Sequence, residues 1–212
     1  MQSTMEEIMA FLSVKSHTLS YQIQNGSLWS IARVRWLLFL VLTVSSVFTS
    51  SFGDTAGDLC DRLASIGADP DHQTVPVEYS AIEGKLVIDA CREAVNSAPH
   101  NGRYWIQLGR GYLKLDQGDA MLAAFERAKA LEYPAAWFAL AVVYHTGNGI
   151  AEADLGRAEA LYVEAYRKGV GYSALGLTRL YDEAGSPFFN EEKAAMWQSR
   201  FDVFINREEA LR

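Results

Sequence analysis

One phrase of the sequence occurs three times, namely a leucine followed by a small residue, with a tyrosine four positions after the leucine. The copies are Leu108-Gly109 with Tyr112, Leu140-Ala141 with Tyr144, and Leu177-Thr178 with Tyr181. A second helical run follows each copy, and self-similarity at a period in the thirties is typical of stacked helix pairs that bury a core only against their neighbours. The pattern therefore predicts an all-α fold, a short α-α superhelical solenoid.

Proline, glycine and capping residues mark where the predicted helices begin and end. Pro99 cannot continue a helix, and Pro134 suits the first turn of one. Asp154 suits a helix start, and Gly169 suits the position just past a helix end. The predicted helices cover residues 87–95, 103–115, 120–131, 134–144, 154–168, 172–184 and 190–205, with turns at 116–118 and 147–150.

Small and aromatic residues at helical spacing form the predicted core of the repeats, residues 101–205. Within it, Gly109 and Ala128 would let paired helices approach closely. The predicted packing residues are Trp105, Leu108, Gly109, Tyr112, Phe125, Ala128, Ala136, Leu140, Ala141, Tyr144, Gly147, Gly149, Ala158, Leu161, Tyr162, Ala165, Gly169, Leu177, Tyr181, Ala194 and Trp197.

An apolar run near the start of the chain predicts export. Basic residues at 33–35 precede the run 36–44, and small residues then precede Asp54. This order matches the n-region, the h-region of ~7–15 residues and the cleavage site of a signal peptide. We interpret residues 31–53 as a signal peptide, with an uncleaved membrane anchor through residues 36–52 as the alternative.

The rest of the chain divides into four segments. Residues 1–30 are a leader for which an over-extended start, a long cytoplasmic leader and an amphipathic membrane-surface segment are alternatives. Residues 54–100 form an N-terminal cap, and residues 101–205 form the repeats. Residues 206–212 are predicted to be a polar tail that shields the open end of the array.

Both cysteines of the chain, Cys60 and Cys91, lie after the proposed cleavage site. An even number of cysteines in an exported chain is typical of a disulfide, and two buried free thiols are the alternative. A bridge would clip a helix near Cys60 onto the helix of Cys91 and stabilise the fold by roughly 3–4 kcal/mol on the chain-entropy estimate. The predicted location is periplasmic or secreted, or else anchored in the inner membrane with the repeats outside the cytoplasm.

Charge and motifs favour binding over chemistry. The formal net charge is −7 and basic residues alternate with acidic ones, whereas nucleic-acid binding needs clustered Lys and Arg. The four histidines show no metal-ligand spacing, and His145 is expected to interact with a helix C-terminal dipole. The run 69–72 is read as a turn rather than a metal clip. Neither a phosphate loop nor a nucleophile elbow is present, so we predict no enzyme activity, cofactor or metal.

The second predicted unit resembles the Sel1-like repeat family. The residues that match are Ala136, Leu140, Ala141, Tyr144, Gly147, Gly149-Ile150, Asp154, Arg157-Ala158, Leu161-Tyr162, Ala165 and Gly169. The first unit is closer to a tetratricopeptide unit, and in the third the run 184–189 replaces the Gly-x-Gly turn. The front half, with Cys60-Asp61-Arg62-Leu63-Ala64 and Ile88-Asp89-Ala90-Cys91, is similar to exported Sel1-repeat proteins of proteobacteria. The resemblance implies a periplasmic location and protein binding, in some relatives regulation of a sensor kinase or envelope assembly.

Two functions from different classes fit these predictions. The first is a non-enzymatic periplasmic adaptor or regulator that binds an envelope protein through the groove of the solenoid. The second is a structural envelope tether, anchored through residues 36–52 if they are uncleaved. A soluble chain that begins near Asp54 would favour the first, and a membrane-retained full-length chain would favour the second.

Four aromatic residues outside the packing pattern are possible partner anchors. Aromatic side chains dominate interface hot spots, so any exposed member of this set is a candidate, and buried packing is the alternative. The four are Tyr104, Phe138, Phe188 and Phe189.

Overall fold

The computed structural model describes residues 55–210, so the predicted leader and the predicted signal segment lie outside the described residues. The described chain is all-helical, with eight α-helices, a 3-10 turn at Tyr79–Ala81 and no strand. The helices are α1 Thr55–Ala64, α2 Gly84–Ser97, α3 Gly102–Lys114, α4 Gly118–Ala130, α5 Ala135–Thr146, α6 Leu155–Arg167, α7 Tyr172–Asp182 and α8 Glu191–Ala210. Of these eight, none is both long enough and apolar enough to span a membrane.

Consecutive helices pack against one another. The most extensive contacts join α3 to α4, α5 to α6, and α7 to α8, while α2 packs against both α1 and α3. Alternate helices are also in contact, namely α1 with α3, α3 with α5, and α5 with α7. One hydrophobic cluster extends through all the pairs, from Cys60 to Trp197. The predicted all-α class and the packing of each helix on its neighbours are confirmed.

The three tyrosines of the recurring phrase share one backbone connection. The carbonyl oxygen of each accepts a hydrogen bond from the amide of the residue that precedes the next helix. The bonds run from Gln117 to Tyr112 at 3.0 Å, from Asp154 to Tyr144 at 2.8 Å, and from Asn190 to Tyr181 at 2.8 Å. The third pair therefore makes the same connection as the second, although its loop lacks the Gly-x-Gly turn.

The last two of these connections also share a helix-capping side chain and a cation–π contact. The side chain of the capping residue accepts a hydrogen bond from the amide three residues later, and the cation of that later residue lies over the tyrosine ring. The two sets are Asp154, Arg157 and Tyr144, with the cation 4.0 Å from the ring centroid, and Asn190, Lys193 and Tyr181, at 4.7 Å. The capping role predicted for Asp154 is confirmed.

The turns that join one pair to the next also match each other, at an offset of 37 residues. The amide of Tyr133 donates to the carbonyl of Ala128 at 3.1 Å, and that of Val170 donates to Ala165 at 3.0 Å. The left-handed position holds Glu132 at φ 57° in the first turn and Gly169 at φ 92° in the second. Because Gly169 is exposed, its role is this backbone conformation and not the packing that we predicted.

Most of the predicted packing residues lie in the core, and four besides Gly169 do not. Trp105, Tyr144, Gly147 and Gly149 are half-buried. The two glycines adopt positive φ in the α5–α6 loop, at 72° and 76°, so they serve the turn. The half-buried ring of Tyr144 lies beneath the guanidinium of Arg157.

Tyr104 occupies the core in place of Trp105. Helix α1 covers this side of α3, where a Cβ on Gly57 would stand 2.8 Å from Cζ of Tyr104. The indole N–H of Trp105 instead donates to the carbonyl of Pro99 at 3.0 Å. The sequence pattern did not specify how α1 would lie on α3. We therefore assigned the core position to Trp105, whereas Tyr104 occupies it.

Helix boundaries differ from the predictions by two or three residues at several ends, and at two places the difference changes a predicted turn or tail. Helix α4 begins at Gly118, which we had placed in the preceding turn. Helix α8 continues to Ala210, so residues 206–210 of the predicted tail are helical. Glu208, Glu209 and Ala210 are good helix formers, and the polarity of this stretch does not oppose an exposed helix end.

Candidate functional site

The N-terminal cap is closed by the predicted disulfide. Cys60 of α1 and Cys91 of α2 are bonded, with an Sγ–Sγ distance of 2.04 Å, and neither residue is exposed to solvent. The bridge joins α1 to α2, as the cysteine pattern predicts.

An ion pair that the sequence did not reveal fixes α1 to α3. Arg103 donates from Nε to Oδ1 of Asp61 at 2.8 Å and from Nη2 to Oδ2 at 3.1 Å. Gln107 adds a bond from Nε2 to the same Oδ1 at 2.7 Å. Asp61 is only 4% exposed, so this bidentate arrangement satisfies a carboxylate that would otherwise be costly to bury.

A buried arginine on α3 holds the segment that follows α1, which we call the link, residues 65–77. Nη1 of Arg110 donates to the carbonyls of Ala64 and Ser65, at 2.9 and 2.6 Å, and Nη2 donates to that of Val77 at 2.9 Å. The bond to Ala64 pairs a carbonyl of the last turn of α1, and the bonds to Ser65 and Val77 hold both ends of the link against α3. Burial lowers the pKa of Arg110 to about 10.

The link is also joined to the turn between α4 and α5. The hydroxyl of Tyr133 lies 2.7 Å from Oδ1 and 2.6 Å from Oδ2 of Asp69, and the amide of Asp71 donates to Oδ1 at 3.0 Å. Burial raises the pKa of Asp69, against the effect of these hydrogen bonds. The turn predicted for residues 69–72 is confirmed, and in residues 55–210 no three His, Cys, Asp or Glu side chains are grouped to hold a metal.

A groove of about 240 Å³ lies between α5 and α7, and we call it the α5–α7 groove. It exists because the two helices belong to successive pairs, and Tyr162 of α6 forms the floor between them. Gly176 leaves room for that ring, since a Cβ there would stand 2.6 Å from Cζ of Tyr162. The groove is lined by Phe138, Val142, His145, Thr146, Tyr162, Tyr172, Leu175, Gly176 and Arg179.

The α5–α7 groove is apolar with one permanent charge. His145 lies with Nδ1 3.3 Å from the Tyr162 hydroxyl, and burial together with Arg179 lowers its pKa more than Glu183 raises it. Burial also raises the pKa of Tyr162, so both rings are neutral near pH 7. His145 lies in the last turn of α5, where we expected it to interact with the C-terminal dipole of the helix. Arg179 is exposed and makes no hydrogen bond or ion pair with any other described residue.

A second cavity, of about 330 Å³, lies between the link and the end of α8. Its walls are the link from Gly67 to Pro76, the α6–α7 turn, and the last turns of α8 from Phe204 to Glu209. None of the four predicted anchors lines this second cavity. We therefore take the α5–α7 groove, which contains Phe138, as the candidate site.

The four possible anchors lie in different surroundings. Tyr104 is buried, at 8% exposure, and is not available to a partner in this structure. Phe188 is half-buried beside Gly156 of α6, whereas Phe189 is 45% exposed in the loop before α8. Phe138 is half-buried in the α5–α7 groove, 5.9 Å from Tyr162 between ring centroids.

Comparison with protein-family models, curated proteins and solved structures finds no match to this chain. The resemblance to Sel1-like and tetratricopeptide repeats therefore stays a prediction.

Proposed function

We propose that this protein is a non-enzymatic protein-binding module, an adaptor or regulator that acts on an envelope protein outside the cytoplasm. The observation that carries the proposal is the α5–α7 groove. Its half-buried rim of Phe138, Val142, Tyr172 and Leu175 offers apolar surface that a partner segment can cover. The groove lining includes neither a carboxylate nor a cysteine, and its histidine, His145, therefore has no carboxylate in the lining to orient it as a general base, so these residues suit recognition better than acid-base or thiol chemistry.

A short superhelical array of Sel1-like or tetratricopeptide-like pairs is the architecture that we propose around this groove. The shared tyrosine connections and the 37-residue offset between turns support it, because equivalent connections repeat the same relation between successive pairs. In such an array the first helices of the pairs follow one another along one face. The α5–α7 groove would lie on that face.

The proposed location outside the cytoplasm is supported by the buried disulfide. Such bonds form and persist in oxidising compartments and are rare in the cytosol. The predicted signal segment agrees with this location. Sequencing the N-terminus of the protein from its host separates the adaptor, which would start near Asp54, from a membrane-anchored tether, which would keep the earlier residues.

Site-specific photo-crosslinking in the host tests the binding face. A photoreactive phenylalanine analogue is placed at Thr146, on the rim of the groove, and as a matched control at Lys85 of α2, whose side chain is 86% exposed. We expect one envelope protein to be captured from Thr146 and not from Lys85, and to be lost when Leu175→Glu is added. Equal capture from both positions, or capture that survives Leu175→Glu, would reject the groove as the binding face.

A further inference from the structure

We infer that the α5–α7 groove recognises a partner segment in which an acidic side chain stands beside a large apolar side chain. This inference rests on the proposed function and adds the chemistry of the partner. Three observations support it, namely the size of the groove, an arginine without a hydrogen-bond or ion-pair partner among residues 55–210, and an equivalent arginine elsewhere in the fold.

The size and lining of the groove suit side chains of a polypeptide. Its volume of about 240 Å³ lies below the range of about 300–1,000 Å³ that is usual for drug-sized ligands. Phe138 and Leu175 occupy equivalent positions on α5 and α7, two residues before the leucine of the recurring phrase, and both are half-buried. A large apolar side chain placed between them would bury surface that the protein itself leaves partly exposed.

Arg179 differs from basic residues on the neighbouring helices, which pair with carboxylates. Lys168 pairs with Glu132 at 2.8 Å and lies 4.1 Å from the Trp137 ring centroid, and Arg157 pairs with Glu126 at 3.3 Å. Arg179 has no such carboxylate among the residues of the described chain, and it lines a groove with apolar walls. A guanidinium in these surroundings binds a carboxylate through two parallel hydrogen bonds, which makes an acidic side chain its natural partner.

The fold contains an occupied version of the same arrangement. Arg110 on α3 and Arg179 on α7 both stand two residues after the leucine of the recurring phrase. Helix α1 precedes α3 as α5 precedes α7, but at α3 the link covers the arginine. Three oxygen acceptors of the covering chain satisfy Arg110. At α7 no segment of the described chain covers the equivalent arginine, so a partner segment with an oxygen acceptor would complete the groove as the link does for α3.

Peptide selection on the full chain tests the inference. A phage-displayed library of random dodecapeptides is selected against the protein and depleted on Leu175→Glu, which blocks the groove. Selected peptides are then synthesised and their affinities are measured by fluorescence anisotropy for the wild type, Arg179→Glu and Arg179→Lys. Arg127→Glu on the exposed side of α4 is the matched control, since it makes the same charge change outside the groove. Thermal melts confirm that each variant is folded.

We expect the selected peptides to carry Asp or Glu close to Leu, Phe or Trp. Arg179→Glu should weaken their binding about tenfold, Arg179→Lys less, and Arg127→Glu not at all. Changing the acidic residue of a peptide to Lys should restore binding to Arg179→Glu. Groove-dependent peptides without an acidic residue, or with affinity unchanged by Arg179→Glu, would overturn this inference and leave the proposed function standing. If no peptide depends on the groove, both are overturned.

Discussion

Replacing Gly109 by alanine tests the closest helix contact of the fold. Gly109 lies on α3 against the ring of Phe125 on α4, which is 2% exposed. An added Cβ would stand 2.5 Å from Cδ1 and 3.0 Å from Cζ of that ring, and closer still to Cε1. Optimal carbon contacts lie at about 3.5–4.0 Å, so the methyl group would overlap the ring by roughly 1 Å. A buried ring cannot swing away without disturbing the core.

The expected cost follows from two opposing effects. Overpacking a well-filled core costs about 1–3 kcal/mol, whereas alanine gains up to about 1 kcal/mol over glycine inside a helix. Because the overlap involves three ring atoms, we expect a net loss of about 2 kcal/mol. For a protein of this size that loss lowers Tm by about 4–8 °C. Gly109→Leu should cost more.

Gly156→Ala provides the matched control, because it makes the same change within a helix where there is space. Gly156 is exposed on α6, and its nearest atoms would lie 3.6 and 3.8 Å from the new Cβ. Its Tm should stay unchanged or rise slightly. Differential scanning calorimetry of both variants measures the contrast, and Phe125→Leu should cost less in the Gly109→Ala background than alone. A Gly109→Ala protein as stable as the wild type would show that α3 and α4 do not pack in this register.

The remaining predictions concern buried polar groups and the disulfide. Ser173→Ala should raise the free energy of unfolding by about 1 kcal/mol, because its buried hydroxyl has no hydrogen-bond partner among residues 55–210. Ala136→Ser at the equivalent position should lower the free energy of unfolding, and changes of the same sign in denaturant melts of the two variants would contradict the equivalence. Tyr133→Phe should cost about 1–3 kcal/mol by removing a donor from buried Asp69, and denaturant unfolding measures it; an unchanged midpoint would refute the link contact. Burial lowers the pKa of His145 in the folded state, so below about pH 6.5 the unfolded state binds the proton more readily than the folded state does. The stability of the protein should therefore fall as the pH drops below about 6.5, and His145→Gln should make Tm less dependent on pH in that range. A Tm that depends on pH equally in both proteins would contradict the burial of this ring. A thiol assay on the unfolded, unreduced protein should find no free cysteine, and any titratable thiol would contradict the bridge.

Local sequence signals predicted the helices and their connections well. Asp154 was identified as a cap because its role depends only on the next three residues. The recurring leucines and tyrosines located the pairs, because packing between neighbouring helices is encoded at short, regular spacing. The wrong assignment of the core position to Trp105 instead of Tyr104 has a long-range cause. It depends on α1, which lies more than 40 residues earlier in the chain and carries no such phrase.

The buried polar residues of the cap show why their roles could not be predicted from the same signals. Asp61 and Arg103 are 42 residues apart, and each belongs to a class that is mostly exposed in proteins. The sequence contained one indication of these buried contacts. Gln107 and Arg110 flank Leu108-Gly109 on a helix whose buried face is almost continuous. A polar residue at such a position requires a partner from elsewhere in the chain. Arg179 stands at the equivalent position, two residues after the leucine of its own phrase, but it is exposed, and the partner that we infer for it comes from another molecule.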